Sequence, residues 1–366
     1  MTTTAHSLSG VPGILSAEEI ATTAAQLAGL QLASGQIPWF VGGHCDPWNH
    51  VETAMALTVT GYVREARAAY RWLAATQLGD GSWFNYYVGE RVRDTRLDTN
   101  VCAYVATGVY HYLLATGDVD FASEMWPHVE RAIEFVLRWQ LDDGTVRWSL
   151  DACGRPEHYA LLTGSSSIFH SLRCAVALAE RLDAARPQWE LAAARLGHAV
   201  AHHPGAFAPK NEFAMDWYYP IFSGALTGSA GEQRLSDGWE RHVMDGYGVR
   251  CVSTNDWVTA AETAECVLAL DAIGLTSRAI DLFAFTGRHR RDDGAYWTGI
   301  AYPQNVTFPG GESTSYTGAA IVLAADALAS SSTAAGLFHH GVLGAPLDLP
   351  EPGCPLIGEC PSNLTK

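Results

Sequence analysis

Acidic side chains stand near the starts of five of six apolar segments of the sequence, and each could donate or accept a proton. A carboxyl group does this work when neighbours and burial tune its pKa, and a histidine close to carboxylates can share it. His50 lies two residues before Glu52 and four after Asp46. The candidate catalytic residues are therefore Asp46, His50, Glu52, Asp98, Asp216, Glu262 and Glu312.

Aromatic residues accompany several of these acids, as in the pairs Asp216-Trp217 and Asp256-Trp257. Flat aromatic walls suit either a sugar ring or a carbocation stabilised by ring quadrupoles. The candidate substrate-binding residues are Trp48, Trp83, Trp217, Tyr218, Tyr219, Asp256, Trp257, Trp297 and Tyr316. An alternative stays open, because Asp is also a common helix cap and large rings also fill cores.

The elements that would position these residues form a sixfold pattern. Small, apolar helical segments start near Asn49, Leu97, Gly164, Met215, Ala261 and Ser313. Amphipathic segments separate them, at 17–32, 63–77, 121–140, 188–201, 230–242 and 277–289. The pattern predicts an all-α fold, a single (α/α)6 toroid of six helical hairpins with the small-residue helices inside. Parallel inner helices would gather their N-terminal turns, and the acids on them, at one mouth.

The toroid is predicted to span residues 16–330, between an N-terminal extension (1–15) and a partly irregular C-terminal tail (331–366). Asp-Gly turns followed by an aromatic residue, as at Gly81 and Trp83, come after three of the amphipathic segments.

Charge and composition exclude several classes of partner. The 366 residues carry a net charge of −16, which repels nucleic-acid phosphates and anionic lipid. No apolar run reaches the roughly 20 residues of a membrane span, and residues 1–13 lack a signal-peptide pattern. We expect a soluble, cytoplasmic protein that binds a small-molecule substrate. The eight cysteines are dispersed without a C-x-x-C pair, so neither a metal nor a cofactor is expected.

Two segments carry a resemblance to a known superfamily. Gln77-Leu-Gly-Asp-Gly-Ser-Trp83 resembles the repeat of squalene-hopene cyclases, and the segment from Glu312 to Ala324 is similar to another motif of these terpenoid cyclase and prenyltransferase toroids. Soluble actinobacterial prenyltransferase-like proteins share this resemblance, which covers residues 17–328. It implies carboxylate acid/base catalysis on a small, possibly isoprenoid, substrate. The acid motif of polyene cyclases is reduced to one carboxylate, at Glu52 or Asp98, which argues against true polyene cyclisation.

A second resemblance implies a different enzyme class. The stretch from Tyr112 to Asp118, followed by Glu124 to Ile133, is similar to segments of six-hairpin glycosidases. It implies a glycoside hydrolase or sugar isomerase, with Asp216 and Glu312 as natural partners across a glycosidic bond. A third hypothesis is a non-catalytic module that binds a glycan or lipid. We rank the cyclase-like enzyme first, the glycosidase second and the binding module third.

Overall fold

The computed structural model of the chain describes residues 8–339, 343–345 and 347. Within these ranges the helices fall into an inner and an outer set. The inner set is α2 (Pro47–Val59), α4 (Thr99–Ala103) with α5 (Val105–Thr116), α7 (Leu162–Arg181), α9 (Ala214–Phe222), α11 (Ala260–Ala272) and α13 (Ser315–Ala329). The outer set is α1 (Ala17–Leu30), α3 (Val63–Thr76), α6 (Val119–Leu137), α8 (Pro187–His202), α10 (Gly228–His242) and α12 (Thr276–Ala284).

The inner helices form a closed ring. Each packs against the next in the order α2, α4/α5, α7, α9, α11, α13, and α13 packs back against α2. Twelve of the thirteen residues of α2 are buried, whereas the outer helix α3 buries only one face. The (α/α)6 toroid predicted from the sixfold pattern is confirmed.

A glutamine at the end of several outer helices joins each to the next. Gln77 follows α3 and donates from Nε2 to the carbonyls of Gly81 and His128, at 2.9 Å each. Gln31 and Gln140 repeat this arrangement. Gly81 has φ +97° and lies so close to Arg131 that a Cβ would be 2.2 Å from its carbonyl oxygen. The cyclase-like motif at Gln77 is therefore a structural link between outer helices.

Short β-strands precede some inner helices, a feature that the all-α prediction did not include. In the described residues they are β1 (Tyr86–Val88), β2 (Arg91–Asp94), β3 (Leu97–Asp98), β4 (Ser149–Leu150), β5 (Val243–Met244), β6 (Gly248–Arg250), β7 (Trp257–Thr259), β8 (Gly299–Ala301) and β9 (Val306–Phe308). The last five form one antiparallel sheet in sequence order, with Thr259 opposite Gly299. Because β3 runs into α4 and β7 into α11, the strands lie at the end of the ring where these inner helices begin.

The other end of the ring is covered by a closing segment, residues 331–339, which includes the 3-10 helix Ala335–Phe338. Phe338 stacks on Phe222, the last residue of α9, at 4.5 Å. His339 pairs with Asp271 near the end of α11, at 2.7 Å. The segment therefore ties together the C-terminal ends of inner helices.

The proposed boundaries at residues 15 and 330 stay predictions. Leu8, Val11 and Leu15 are buried in the same core as the helices. Most of the proposed tail, including Cys354, Cys360 and His340, lies outside the described residues, as does the start of the proposed N-terminal extension. In the part of the chain that the structure covers, no helix combines the length and the apolar character needed to span a membrane.

Candidate active site

Asp46 caps the first inner helix, α2, and its carboxylate is held by three donors. The indole Nε1 of Trp39 donates to Oδ2 at 2.6 Å. Asn49 donates its backbone N–H to Oδ1 at 2.9 Å and its side-chain Nδ2 to Oδ2 at 2.7 Å. The carboxylate is buried, and these bonds fix its plane at the mouth of the ring.

Asp98 occupies the equivalent position on α4 and is held in a similar way. Its Oδ1 accepts the backbone N–H groups of Asn100 and Val101, and its Oδ2 accepts the indole Nε1 of Trp148 at 2.7 Å. Burial outweighs these hydrogen bonds and raises the pKa of Asp98 to about 6. A carboxyl group with this pKa is partly protonated near neutral pH.

Asp216 lies in the first turn of α9 and joins that helix to its neighbour. Its Oδ1 accepts hydrogen bonds from the Thr163 hydroxyl at 2.5 Å and from the Thr163 backbone N–H at 3.2 Å, at the start of α7. Burial raises the pKa of Asp216 in spite of these bonds. Both donors are groups of Thr163, so Asp216 links α9 to α7 and has a structural role.

Glu262 lies in the first turn of α11 and is only partly buried. Cys251 donates a hydrogen bond to it, and the charge of Glu262 is the main cause that raises the pKa of this thiol. Burial, and then the negative charges of Glu262 and Asp46, raise the pKa of Tyr316 on α13. Asp46 caps α2 and Glu262 lies on α11, and these are the inner helices that pack on either side of α13.

A buried pair of glutamates lies deeper in the ring. Glu52 on α2 and Glu265 on α11 are both buried, and burial raises the pKa of each. The charge of Glu265 raises the pKa of Glu52 further. The phenol groups of Tyr218 and Tyr219 both donate to Glu265, Tyr219 at 2.7 Å. Burial and the repulsion between two like charges favour the protonated form, so the pair holds at least one proton at neutral pH.

Glu265 is a residue that the sequence analysis missed. It lies three residues after Glu262 on a helix, a spacing that places both side chains on nearly the same face. A second acid in an otherwise apolar inner helix was the available signal. Tyr218 and Tyr219, predicted to bind substrate, instead lie buried against this glutamate.

The remaining candidate acids, Glu312 and Asp256, are less buried than the pair of Glu52 and Glu265. Glu312 is partly buried, and its charge acts on His44, which lies between the rings of Trp39 and Tyr86. Asp256 lies in the turn between β6 and β7, where its side chain is exposed and pairs with Arg250 at 3.4 Å.

Three residues predicted to act at the site have structural roles. His50 uses both ring nitrogens on backbone groups, since Nδ1 accepts the Ile37 N–H and Nε2 contacts the Ala69 carbonyl at 2.9 Å. Trp83 is fully buried and donates to the Leu73 carbonyl. Trp217 donates to the Arg234 carbonyl of outer helix α10. Large rings and a buried histidine are common in cores, so packing determined these positions.

Four other aromatic residues lie nearer the mouth. Trp48 stacks on Tyr104, with 4.5 Å between the ring centroids, and its indole Nε1 donates to the hydroxyl of Ser167 on α7 at 3.4 Å. Trp257, on β7, is 37% exposed. Trp297 is partly buried under the guanidinium of Arg291. Tyr316 meets Trp39 edge to face at 5.0 Å.

Comparisons with known proteins place this arrangement in context. No family model matches the chain. The chain is 50% identical over 330 residues to the MMP endo-(1,4)-3-O-methyl-alpha-D-mannosidase of Mycolicibacterium hassiacum, a match that covers 90% of this chain and 91% of that protein. This similarity supports the glycosidase resemblance and not the terpenoid cyclase resemblance that we ranked first.

Solved structures share the fold at much lower identity. The GH63 mannosylglycerate hydrolase from Thermus thermophilus superposes with a TM-score of 0.66 at 12% identity, covering 83% of this chain and 99% of that one. A D-mannose isomerase gives 0.64 at 12% identity, covering 84% and 95%. A wild-type glycosidase gives 0.63 at 15% identity, covering 86% and 97%. At these identities the likeness shows the fold alone.

The identity to the mannosidase is high and extends over nearly the full length of both chains. The protein is an enzyme of the glycoside hydrolase type, with a small-molecule substrate. It belongs to the same family as the MMP endo-(1,4)-3-O-methyl-alpha-D-mannosidase of Mycolicibacterium hassiacum.

Proposed function

We propose that this protein hydrolyses internal (1,4) bonds between 3-O-methyl-α-D-mannosyl residues. The observation that carries the proposal is the 50% identity to an enzyme named for this activity, over 90% of the chain. The acids at the mouth of the ring support it, because hydrolysis of a glycosidic bond uses a pair of carboxyl groups, one on each side of that bond.

Asp46 and Glu262 are the proposed catalytic pair. Glu262 is partly exposed and does not cap its helix, since the N-cap position of α11 is Thr259. Asp46 acts on the same neighbours as Glu262, because the charges of both raise the pKa of Tyr316 and of Glu52. A sugar ring seated beside Tyr316 would therefore have one carboxyl group on each side.

In this arrangement one carboxyl group protonates the glycosidic oxygen as the bond breaks. The other supports attack at the anomeric carbon, either by activating a water or by attacking directly. The buried pair of Glu52 and Glu265 lies below them and supplies a polar floor. Asp98 accepts a hydrogen bond from Trp148 and Asp216 accepts one from Thr163, and these contacts hold neighbouring segments together at the mouth.

The first experiment measures the release of reducing ends from a purified oligosaccharide of (1,4)-linked 3-O-methyl-α-D-mannose. The wild-type enzyme should cleave it, and Asp46→Asn and Glu262→Gln should each lower kcat by about a thousandfold or more, because each removes a carboxyl group that takes part in the reaction. Glu124→Gln, on the outer helix α6 and paired with Arg71 in the wild type, is the matched control and should behave as wild type.

Activated substrates then distinguish the two roles. A glycoside with a good leaving group needs little protonation, so the variant that lacks the proton donor keeps much of its activity on it. The variant that lacks the other carboxyl group stays inactive. An inactive wild-type enzyme would overturn the proposed substrate. Full activity of both variants would overturn the proposed pair.

A further inference from the structure

Trp148 and Tyr159 form a stacked pair of rings beside Asp98, and the hydrolysis proposed above does not use them. Their ring centroids lie 5.6 Å apart at an interplanar angle of 29°. Trp148 is partly buried, whereas Tyr159 is 38% exposed. The outer ring of the pair is therefore accessible from solvent.

Trp148, the more buried ring of the pair, is anchored at the rim of the mouth. The indole Nε1 of Trp148 donates to Asp98 at 2.7 Å, and the backbone carbonyl of Trp148 accepts from the hydroxyl and N–H of Thr99. The Trp148 backbone N–H donates to the Tyr159 carbonyl at 3.0 Å. Stacking on this anchored indole limits the conformations of the Tyr159 ring, so little conformational entropy is lost when a ligand covers it.

The aromatic pair and Glu262 lie on opposite sides of the mouth. In the inner ring, α4 and α11 are three helices apart in both directions, so Asp98 and Glu262 lie on opposite sides of the mouth. Trp257, partly exposed, lies on β7 directly before α11. Neighbouring helix axes are about 8–10 Å apart, so opposite helices of the ring are about 16–20 Å apart. A single sugar ring cannot span that distance.

We infer that Trp148 and Tyr159 form a binding subsite for a pyranose ring of the substrate, remote from the bond that is cleaved. The inference rests on the proposed function and adds how the chain is bound. An oligosaccharide lies across the mouth, with one of its sugars stacked on Tyr159 and the scissile bond on the side of Glu262. Sugar faces and O-methyl groups are apolar, so they match an uncharged aromatic surface.

The test compares kcat/KM along a series of 3-O-methyl-mannose oligosaccharides of increasing length. In the wild type, kcat/KM should rise when the chain becomes long enough to reach Tyr159. In Tyr159→Ala this gain should fall by about 5- to 20-fold, the effect expected of one lost ring contact. Tyr159→Phe should keep most of the gain, because it keeps the ring. Leu191→Ala, an exposed substitution on the outer helix α8, serves as the control.

The same loss at every chain length in Tyr159→Ala, or no loss at all, would overturn the subsite while leaving the proposed hydrolysis intact. If the wild type cleaves none of these oligosaccharides, the proposed function fails, and calorimetric binding of the same series judges the subsite separately. Weaker binding of only the long oligosaccharides by Tyr159→Ala would then support it. Equal affinities of Tyr159→Ala and the wild type, or no binding by either, would overturn it.

Discussion

Glu52 and Glu265 are two carboxyl groups in a part of the ring that water hardly reaches. An ionised carboxylate in such surroundings lacks solvation, and a second charge beside it adds repulsion. Tyr218 and Tyr219 compensate one member of the pair by donating to Glu265. The pair therefore makes the stability of the fold depend on pH.

We expect Glu52→Gln to make the protein more stable at alkaline pH. Burial and the charge of Glu265 raise the pKa of Glu52 in the folded protein, so its favourable contribution is complete below the unfolded pKa of about 4.5 and is lost as pH rises through the folded pKa. A glutamine cannot ionise. At pH 9 the variant should therefore unfold at a higher Tm than wild type, because it avoids the cost of a buried, ionised carboxylate.

Thermal unfolding between pH 4 and pH 9 measures this difference. The Tm values of wild type and Glu52→Gln should diverge as pH rises. Glu240→Gln, on the outer helix α10 and exposed, should follow the wild-type curve. Parallel curves for wild type and Glu52→Gln would show that Glu52 ionises without penalty.

At the residue scale, the sequence indicated the acids at the starts of inner helices but not the uses of their neighbours. Asp46 and Asp98 were identifiable because Asp before an apolar helix is a typical cap. The sequence does not show that the side chains of His50 and Trp83 hydrogen-bond to backbone carbonyls of the outer layer, because their partners lie 19 and 10 residues away. In the sequence Trp148 is one aromatic residue after an Asp-Gly turn, and its partner Tyr159 lies eleven residues away in an irregular loop.

At the scale of helices and strands, α2 and α5 approach each other closely at Gly108. A Cβ at this position would lie 2.4 Å from Cγ1 of Val51 and 2.9 Å from the Tyr70 hydroxyl oxygen. The Gly108 carbonyl also accepts the Tyr70 hydroxyl at 2.9 Å. This glycine sets the spacing between two inner helices.

Gly108→Ala should therefore destabilise the protein. Overpacking costs about 1–3 kcal/mol, and the better helix propensity of alanine returns up to about 1 kcal/mol, so we expect a lower Tm. Gly29→Ala in the outer helix α1 is the matched control, because nothing lies within 4 Å of its Cβ position, and its Tm should rise slightly. If Gly108→Ala unfolds at or above the wild-type Tm, then α2 and α5 can move apart to accommodate the methyl group without loss of stability.

The helices were predictable and the strands were not, for a physical reason. In each outer helix apolar residues recur at helical spacing. All six predicted segments match observed helices to within a few residues. The strands are two to four residues long, too short for alternation to appear in the sequence. The sheet from β5 to β9 is also held by pairings between distant residues, such as Trp257 with Ala301.

At the scale of the whole molecule, the closing segment and the ring stabilise each other through one ion pair. Against the opposing effect of burial, hydrogen bonds from His339 and Thr276 lower the pKa of Asp271. The hydrogen bond to Asp271 raises the pKa of His339. From the sequence, His339 had no assigned role, because its partner lies 68 residues away.

His339→Gln should lower Tm most at mildly acidic pH. The contribution of His339 is complete below its unfolded pKa of about 6.5 and is lost as pH rises through its raised folded pKa, whereas that of Asp271 is lost as pH falls through its lowered pKa. The difference in Tm from wild type should therefore be largest between about pH 4 and 6.5 and should shrink above that range. His158→Gln, an exposed histidine, is the control. A difference that is constant across pH would exclude the ion pair as its cause.

The contact between α13 and α2 has a consequence for synthesis. Helix α2 lies near the start of the chain and is buried on nearly all sides, but one of the surfaces that bury it belongs to Ser315–Ala329. During synthesis, the apolar face of α2 that α13 covers therefore stays exposed until almost all of these residues have left the ribosome. A chaperone that shields helix faces would act during that interval, when the half-made ring is most prone to aggregate.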